Sequence, residues 1–320
     1  MKYSLTVILF LGWCLSLEAQ QPSHYSLYMF NRLNFNPAYA GLDHSLSLTG
    51  VYRNQWVGFE GSPNTQNVSL HMPVYMTSGG VGLQFENDAT GARKYTSAAL
   101  SYNYQKFIGE SILSIGASAG WAQRTIDGSK LRTPEGNYQD GGINHEDAGL
   151  FNTSESASVT TFGAGIYFQN PRIEGGISVQ NLTEPSVTIE NLQLELARTF
   201  YFTLSGHFDL TGSLAFHPSV FIRSDIVQTQ MDFSAIFQYN DNIFLGAAFR
   251  GYNDTSNDAV SVLAGFKLSE KITLGYAYDI TISSLNTVQN GTHEILINYN
   301  LNKRIFGGRP PAIIYNPRSL

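Results

Sequence analysis

Cysteine is nearly absent: Cys14 is the single one in 320 residues. It lies in an amino-terminal segment expected to be removed. Disulfides therefore cannot staple the mature protein, even in an oxidising compartment. Charge is scarce too. Only 14% of residues are charged, against about a quarter in ordinary soluble domains. Basic runs are missing and the net charge is -6, which excludes nucleic acid as a partner class. Beyond the amino terminus, no stretch holds the ~18 uninterrupted apolar residues of a membrane helix. Helical periodicity is rare, although a soluble core of this size would normally show it.

Glycine and aromatic residues are abundant: 30 Gly, 18 Tyr and 20 Phe. Mean hydropathy is -0.13, too polar for a helical membrane bundle. A membrane β-barrel reconciles these facts, because alternate residues face lipid and a wet interior. The start is Met1-Lys2-Tyr3, an apolar run from Leu5 to Leu17, then Glu18-Ala19. This is the pattern of a secretory signal peptide cut after Ala19. The run is shorter than the ~20 residues of a spanning helix. Trp13 before Cys14 disfavours a lipoprotein site.

The dominant period is two. Phe200, Phe202, Leu204 and Phe208 alternate with Thr199, Thr203, Ser205, His207 and Asp209. Residues 96–104 and 230–239 repeat the pattern. An apolar face opposite a polar one marks a strand between two environments. About fourteen strands of roughly ten residues are expected, the length a tilted barrel strand needs. They run over 43–53, 64–74, 79–87, 94–107, 111–125, 158–169, 172–180, 198–210, 213–224, 228–239, 242–250, 259–268, 271–281 and 292–301. Even-numbered connections are tight; odd-numbered ones, such as 126–157, 181–197, 251–258 and 282–291, are long and polar, with 225–227 the exception. Outer-membrane barrels alternate short periplasmic turns with longer outer loops. Aromatic residues near strand ends (Tyr52, Trp56, Tyr104, Phe107, Trp121, Tyr167, Phe168, Phe208, Tyr239 and Phe244) suit interfacial girdles.

The expected layout is a signal peptide at 1–19, a periplasmic segment at 20–42 that could plug the barrel mouth, the barrel at 43–301 and a tail at 302–320. The parity of the strands puts both termini in the periplasm of an outer-membrane protein.

Chemical motifs are weak. Gly116-Ala117-Ser118-Ala119-Gly120 matches the G-x-S-x-G nucleophile pattern, but it lies in mid-strand, where that pattern needs a turn into a helix. Small residues there suit close packing. Asp140, Asn144, His145, Glu146 and Asp147 form an oxygen-rich loop whose spacing fits no calcium hand; a solvated loop face is the simpler reading. His207 and His217 face the lumen, and no metal-ligand spacing or cofactor motif is found. His293 and Glu294 are neighbours on a strand and point to opposite faces.

Three segments together resemble the PorP/SprF family of type IX secretion membrane proteins of Bacteroidetes-type bacteria. The first runs from Gln21-Pro22 through Tyr28 and Asn31 to Phe35-Asn36-Pro37-Ala38-Tyr39-Ala40-Gly41. The second is Arg53-Asn54-Gln55-Trp56-Val57-Gly58-Phe59-Glu60-Gly61-Ser62-Pro63, followed by His71-Met72-Pro73. The third joins Gly275-Tyr276-Ala277-Tyr278-Asp279, Gly291-Thr292-His293-Glu294-Ile295 and Asn316-Pro317-Arg318. Asn36, Pro37 and Gly41 suit a kinked, closely packed entry to the barrel. Arg53, Gln55 and Trp56 fall at the first outer loop, shaped by Gly58 and Gly61. Structural roles and partner contact both remain open for these residues and for Tyr278, Asp279, His293, Glu294, Pro317 and Arg318.

The resemblance implies a non-enzymatic component of protein secretion or gliding machinery. Its partners would be a secreted cargo or adhesin with a type IX C-terminal signal, periplasmic peptidoglycan-linked or machinery proteins, and the lipid bilayer. Loops 126–157 and 181–197 would meet the cargo at the cell surface, and the tail would meet the machinery. The competing readings are a passive or ligand-selective pore, which needs charged rings in the lumen, and a membrane-embedded hydrolase, which needs an acid–His–Ser cluster at the outer rim.

Overall fold

A computed structural model describes residues 22–138, 142–147, 149–252 and 256–303. The signal peptide, Asp140 and the Pro317-Arg318 motif lie outside the described residues. The strands in chain order are β1 (Ser47–Asn54), β2 (Asn64–Val74), β3 (Gly79–Thr90), β4 (Arg93–Ile108), β5 (Ser111–Asp127), β6 (Ser154–Gln169), β7 (Ile173–Gln180), β8 (Ser186–Ile189), β9 (Leu192–Glu195), β10 (Thr199–Gly206), β11 (Phe208–Thr211), β12 (Leu214–Ser224), β13 (Thr229–Tyr239), β14 (Ile243–Arg250), β15 (Ala259–Lys267), β16 (Ile272–Thr281) and β17 (Thr292–Asn300). All but β8 and β9 form one antiparallel sheet. Each stave pairs with its chain neighbour, and β17 returns to β1, with Ser47 opposite Asn300 and Asn54 opposite His293. Strands β10 and β11 are two parts of one stave, both paired with β12. The barrel is closed and has fourteen staves.

Alternation decides which residues face outward. In β13 the outward Phe233 and Phe237 are exposed, while Asp232, Ser234, Ile236 and Gln238 are buried. In β4, Leu100, Tyr102 and Tyr104 face out, and Ser101, Asn103 and Gln105 face in. The outward residues form a lipid-facing belt. Two aromatic residues expected in the girdle face inward instead: Tyr167 and Phe244 are each 2% exposed. Their parity is luminal, and each packs a ring from the segment inside. Asp209 keeps the parity of the lumen, opposite buried Ala215, but all four residues of β11 are exposed at the end of the barrel.

The short connections gather at one end. Ser78, Gly109, Asn240 and Asp241 adopt the positive φ that tight turns need. At the other end the wall is uneven. Strands β4, β5 and β6 have 16, 17 and 16 residues, longer than alternation alone suggested. Extension of β3 and β4 reduces the connection at 91–92 to two residues. The 181–197 connection is not an open loop, because β8 and β9 form a hairpin. Its Val187, Ile189, Leu194 and Leu196 pack on Ala122 and Ile126 of the tall wall.

Candidate functional site

The lumen is filled by the chain's own amino-terminal segment. Pro22 begins beside Arg223, whose guanidinium donates to the carbonyls of Pro22 (2.7 Å) and Ser23 (3.1 Å). Arg223 lies near the long-connection end of β12. The segment then descends. Tyr28 reaches Ser219 in mid-strand at 2.8 Å, and Asn31 bonds Asn67 and Ser69. Near the short-turn end the Gly41 N–H donates to His71 Nδ1, and the Tyr75 hydroxyl donates to the His44 carbonyl. The 20–42 segment was expected at the periplasmic mouth alone. Its described part instead spans the barrel, and Pro22 stands at the opposite end from Ser47 and Asn300. Strand parity is blind to a segment that doubles back through the lumen.

Short 3-10 turns at Tyr28–Phe30, Arg32–Asn34 and Pro37–Tyr39 make the segment compact. Asn36 accepts from the Ala38 N–H at 2.9 Å, capping the last turn. Pro37 follows at the first position, where its missing N–H costs nothing. Gly41 has φ +75, and an added Cβ would lie 2.7 Å from the Met72 carbonyl oxygen. Only glycine satisfies both limits. Gly116, from the G-x-S-x-G match, faces Ala38 so closely that a Cβ would sit 2.6 Å from its Cα. That motif is a packing device for the luminal segment.

Two of the aromatic residues expected to plug the mouth lie deeper. Phe35 packs against Tyr25, Tyr201 and Phe221, and Tyr28 stacks on Phe221 at 4.9 Å. Phe30 meets Phe244, while Tyr39 meets His71 and Tyr167 close to the short-turn mouth.

The upper part of the segment is held by charge. Arg53 donates to Glu294 (2.8 Å) and Asp279 (2.7 Å). Arg250 donates to Asp232 at 2.8 Å and lies 3.4 Å from Asp279. Ser26 sits among them. Its hydroxyl donates to Asp279, and both guanidiniums donate to it. The Glu294 carboxylate accepts the backbone N–H groups of Ser26 and Leu27, each at 2.8 Å. Arg53, Asp279 and Glu294 are 2% exposed or less. Three residues singled out far apart in sequence thus converge on a fourth that was not.

Other motif residues stitch the rim at the long-connection end. The Gln55 N–H donates to the Pro63 carbonyl; the Val57 N–H donates to the Gly291 carbonyl and the Asn290 N–H to the Val57 carbonyl, joining the first and last long connections. Trp56, at φ 54, donates its N–H to Thr292 Oγ1. Gly58 and Gly61 have φ +93 and +72; Gly58 lies against Asn290, and the Gly61 carbonyl takes the Gly91 N–H. Tyr278 donates to the Asn290 carbonyl and packs on His293. His293 also meets Tyr276 on the outer surface, so it and Glu294 divide between faces as their parity requires.

Sequence reasoning placed Asp232 and Arg223 in the lumen but counted charges there as sparse. It missed Arg250, which has inward parity at the end of its strand. Ser26 carried no signal of its own. His207 and His217 do meet, Nδ1 to Nδ1 at 3.2 Å, and His217 bonds Gln238.

The family model for the type IX secretion system membrane protein PorP/SprF matches residues 17–299. The chain belongs to the PorP/SprF family. That match takes in the luminal segment, every stave but the last residue of β17, and both halves of the charged anchor. No curated protein matches the chain. Among solved structures, the outer membrane protein Omp33 of Acinetobacter baumannii is 7% identical, with TM-score 0.46, over 81% of this chain and 100% of that one. The CymD monoaromatic hydrocarbon channel is 11% identical, with TM-score 0.49, over 85% and 93%. The TodX deltaS2S3 mutant monoaromatic hydrocarbon channel is 8% identical, with TM-score 0.47, over 85% and 94%. The PorP/SprF chain is thus an outer-membrane β-barrel of a secretion-system family.

Proposed function

We propose that this PorP/SprF protein is a non-enzymatic outer-membrane component of type IX secretion or gliding machinery, and that it works through its two faces. The observation that carries this reading is the filled lumen: a barrel stoppered by its own buried segment is suited to holding partners more than to passing solutes. With short turns in the periplasm, the tall wall over β4 to β6 and the stitched outer rim face the cell exterior. There they receive an exported cargo or adhesin bearing a type IX C-terminal signal. The short-turn mouth and the tail face the periplasm. The tail carries Lys303, Arg304, Arg309 and Arg318, no acidic residue and three prolines. A basic, proline-containing tail suits docking on a peptidoglycan-linked or machinery protein.

The test is affinity purification of the tagged protein from gently solubilised outer membranes, followed by mass spectrometry. Recovery of a cargo protein together with a peptidoglycan-binding partner, the latter lost on deleting 302–320, is the expected result. A partner-free barrel that conducts ions in planar bilayers would overturn the reading in favour of a pore.

A further inference from the structure

A cavity of about 280 Å³ lies at the long-connection end, between the luminal segment and the inner wall of β3, β4 and β5. Its walls carry opposite charge. Glu86 and Asp88 line it from β3, and Arg93 and Arg124 line it from β4 and β5. The register aligns them: Asp88 is opposite Tyr95, and Tyr95 is opposite Arg124. With strands ~4.8 Å apart, the backbones of Asp88 and Arg124 stand about 10 Å apart, with the Tyr95 ring between. The Arg124 guanidinium lies 5.7 Å from that ring's centre. The floor is aromatic, made by Tyr25, Phe35 and Tyr201.

The acidic wall is held in place by uncharged donors. Glu86 accepts from Tyr25 at 2.6 Å and from Ser23 at 3.0 Å. Asp88 accepts from Thr65 at 2.6 Å. Among the described residues, no salt bridge engages Glu86, Asp88 or Arg93. Half-buried carboxylates such as Glu86 and Asp88 are normally paired with a cation; Arg93 stands exposed at the rim.

We infer that this cavity binds a small zwitterion, a free amino acid or a short peptide. Its ammonium would lie against Glu86 and Asp88, its carboxylate against Arg93 and Arg124, and its body on the Tyr95 ring. The volume sits just below the ~300–1,000 Å³ of sites for drug-sized ligands, which limits the occupant to about one or two residues. The spacing of the walls matches a molecule that carries both charges, with one hydrogen bond at each end. Thr90 and Arg93, which line it, are exposed at the long-connection end, the side from which a ligand would arrive. This site is independent of the secretion reading, and either can fail alone.

The test uses the full-length mature protein in detergent micelles, titrated by calorimetry with L-phenylalanine and with alanyl-alanine. Saturable binding of at least one probe tighter than ~1 mM is expected. N-acetylation or amidation of the bound probe should weaken it about tenfold or more, as should Asp88→Asn and Arg93→Gln. Heat-shifted migration on gels checks that each variant remains a folded barrel. Preference for the free amino acid or for the dipeptide distinguishes the two sources. Absence of saturable heat with both probes overturns the inference, as does binding that the blocked probes and both variants retain.

Discussion

The luminal segment is held differently at its two ends. Its upper part, around Ser26, is gripped by buried charges from β1, β13, β14, β16 and β17. Its lower part is gripped mainly by neutral amides and hydroxyls, with one ion pair, Arg32 to Glu174, near the short-turn mouth. Asn103 donates to the carbonyls of Ala38 and Ala40 at 2.6 and 2.7 Å. Gln105 and Ser114 add bonds to Ala40 and Ala38, Ser178 bonds the Phe35 carbonyl, and Asn36 reaches two carbonyls of the wall. In a neutral grip each bond stands nearly alone, so the loss of one is local. In a charged grip each group neutralises the others, so removing one leaves its partners ionised and buried. The upper anchor should therefore be the more fragile and the more cooperative.

Breaking that anchor should give the largest effect. Arg53→Met leaves Asp279 and Glu294 without their shared cation, and a loss of about 3–5 kcal/mol is expected. Urea unfolding in micelles measures it. Adding Glu294→Gln and Asp279→Asn to the same chain should recover more than half. Simple additivity of the three changes would show that the cluster is not a unit.

Next in size is the hinge beneath the segment. Gly41→Val places a Cβ within 2.8 Å of the Pro73 backbone at a positive φ. It should cost several kcal/mol, about 3 or more, through strain and overpacking. Increased proteolysis of the 22–45 segment in folded barrels would report it. Wild-type protection would mean that the turn has room to relax.

The neutral grip should respond less. Asn103→Ala removes one of two donors from each of those carbonyls and leaves the buried Gly80 N–H without its acceptor, and a cost of about 1–3 kcal/mol is expected. Combined with Ser178→Ala, which acts on the carbonyl of a different residue, the costs should add. Strong coupling between these two would erase the contrast between the ends.

The smallest effect concerns pH. Burial, reinforced by the fields of Arg223, Arg250 and Arg53, holds the His24 imidazole well below its usual 6.5. The unfolded chain then binds this proton more readily than the folded one. The contribution to stability is complete above about pH 6.5 and declines as pH falls below it. The urea midpoint should drop between pH 7.5 and 5.5, and His24→Asn should flatten that part of the profile. An equal drop in the variant would assign the effect to other groups.

Much of this molecule was legible in its residues. Alternation placed the staves because lipid and lumen impose period two on every strand, and the turn residues marked the tight connections. Errors arose where alternation was short. Val187, Ile189, Leu194 and Leu196 do alternate, but over strands of only four residues, so the hairpin read as a loop. The resemblance flagged Asp279 and Glu294 individually, yet nothing local marks two such residues as partners.

By itself, then, the sequence determined the class of the barrel, its staves, its exposed belt and the face each side chain takes. Those properties follow from the local alternation of polarity and from turn chemistry. Only the tertiary structure decided what fills the lumen, which way the amino-terminal segment runs, and that Arg53, Arg250, Asp279 and Glu294 meet at Ser26. These depend on closing β17 onto β1, which brings residues more than two hundred positions apart within hydrogen-bond distance.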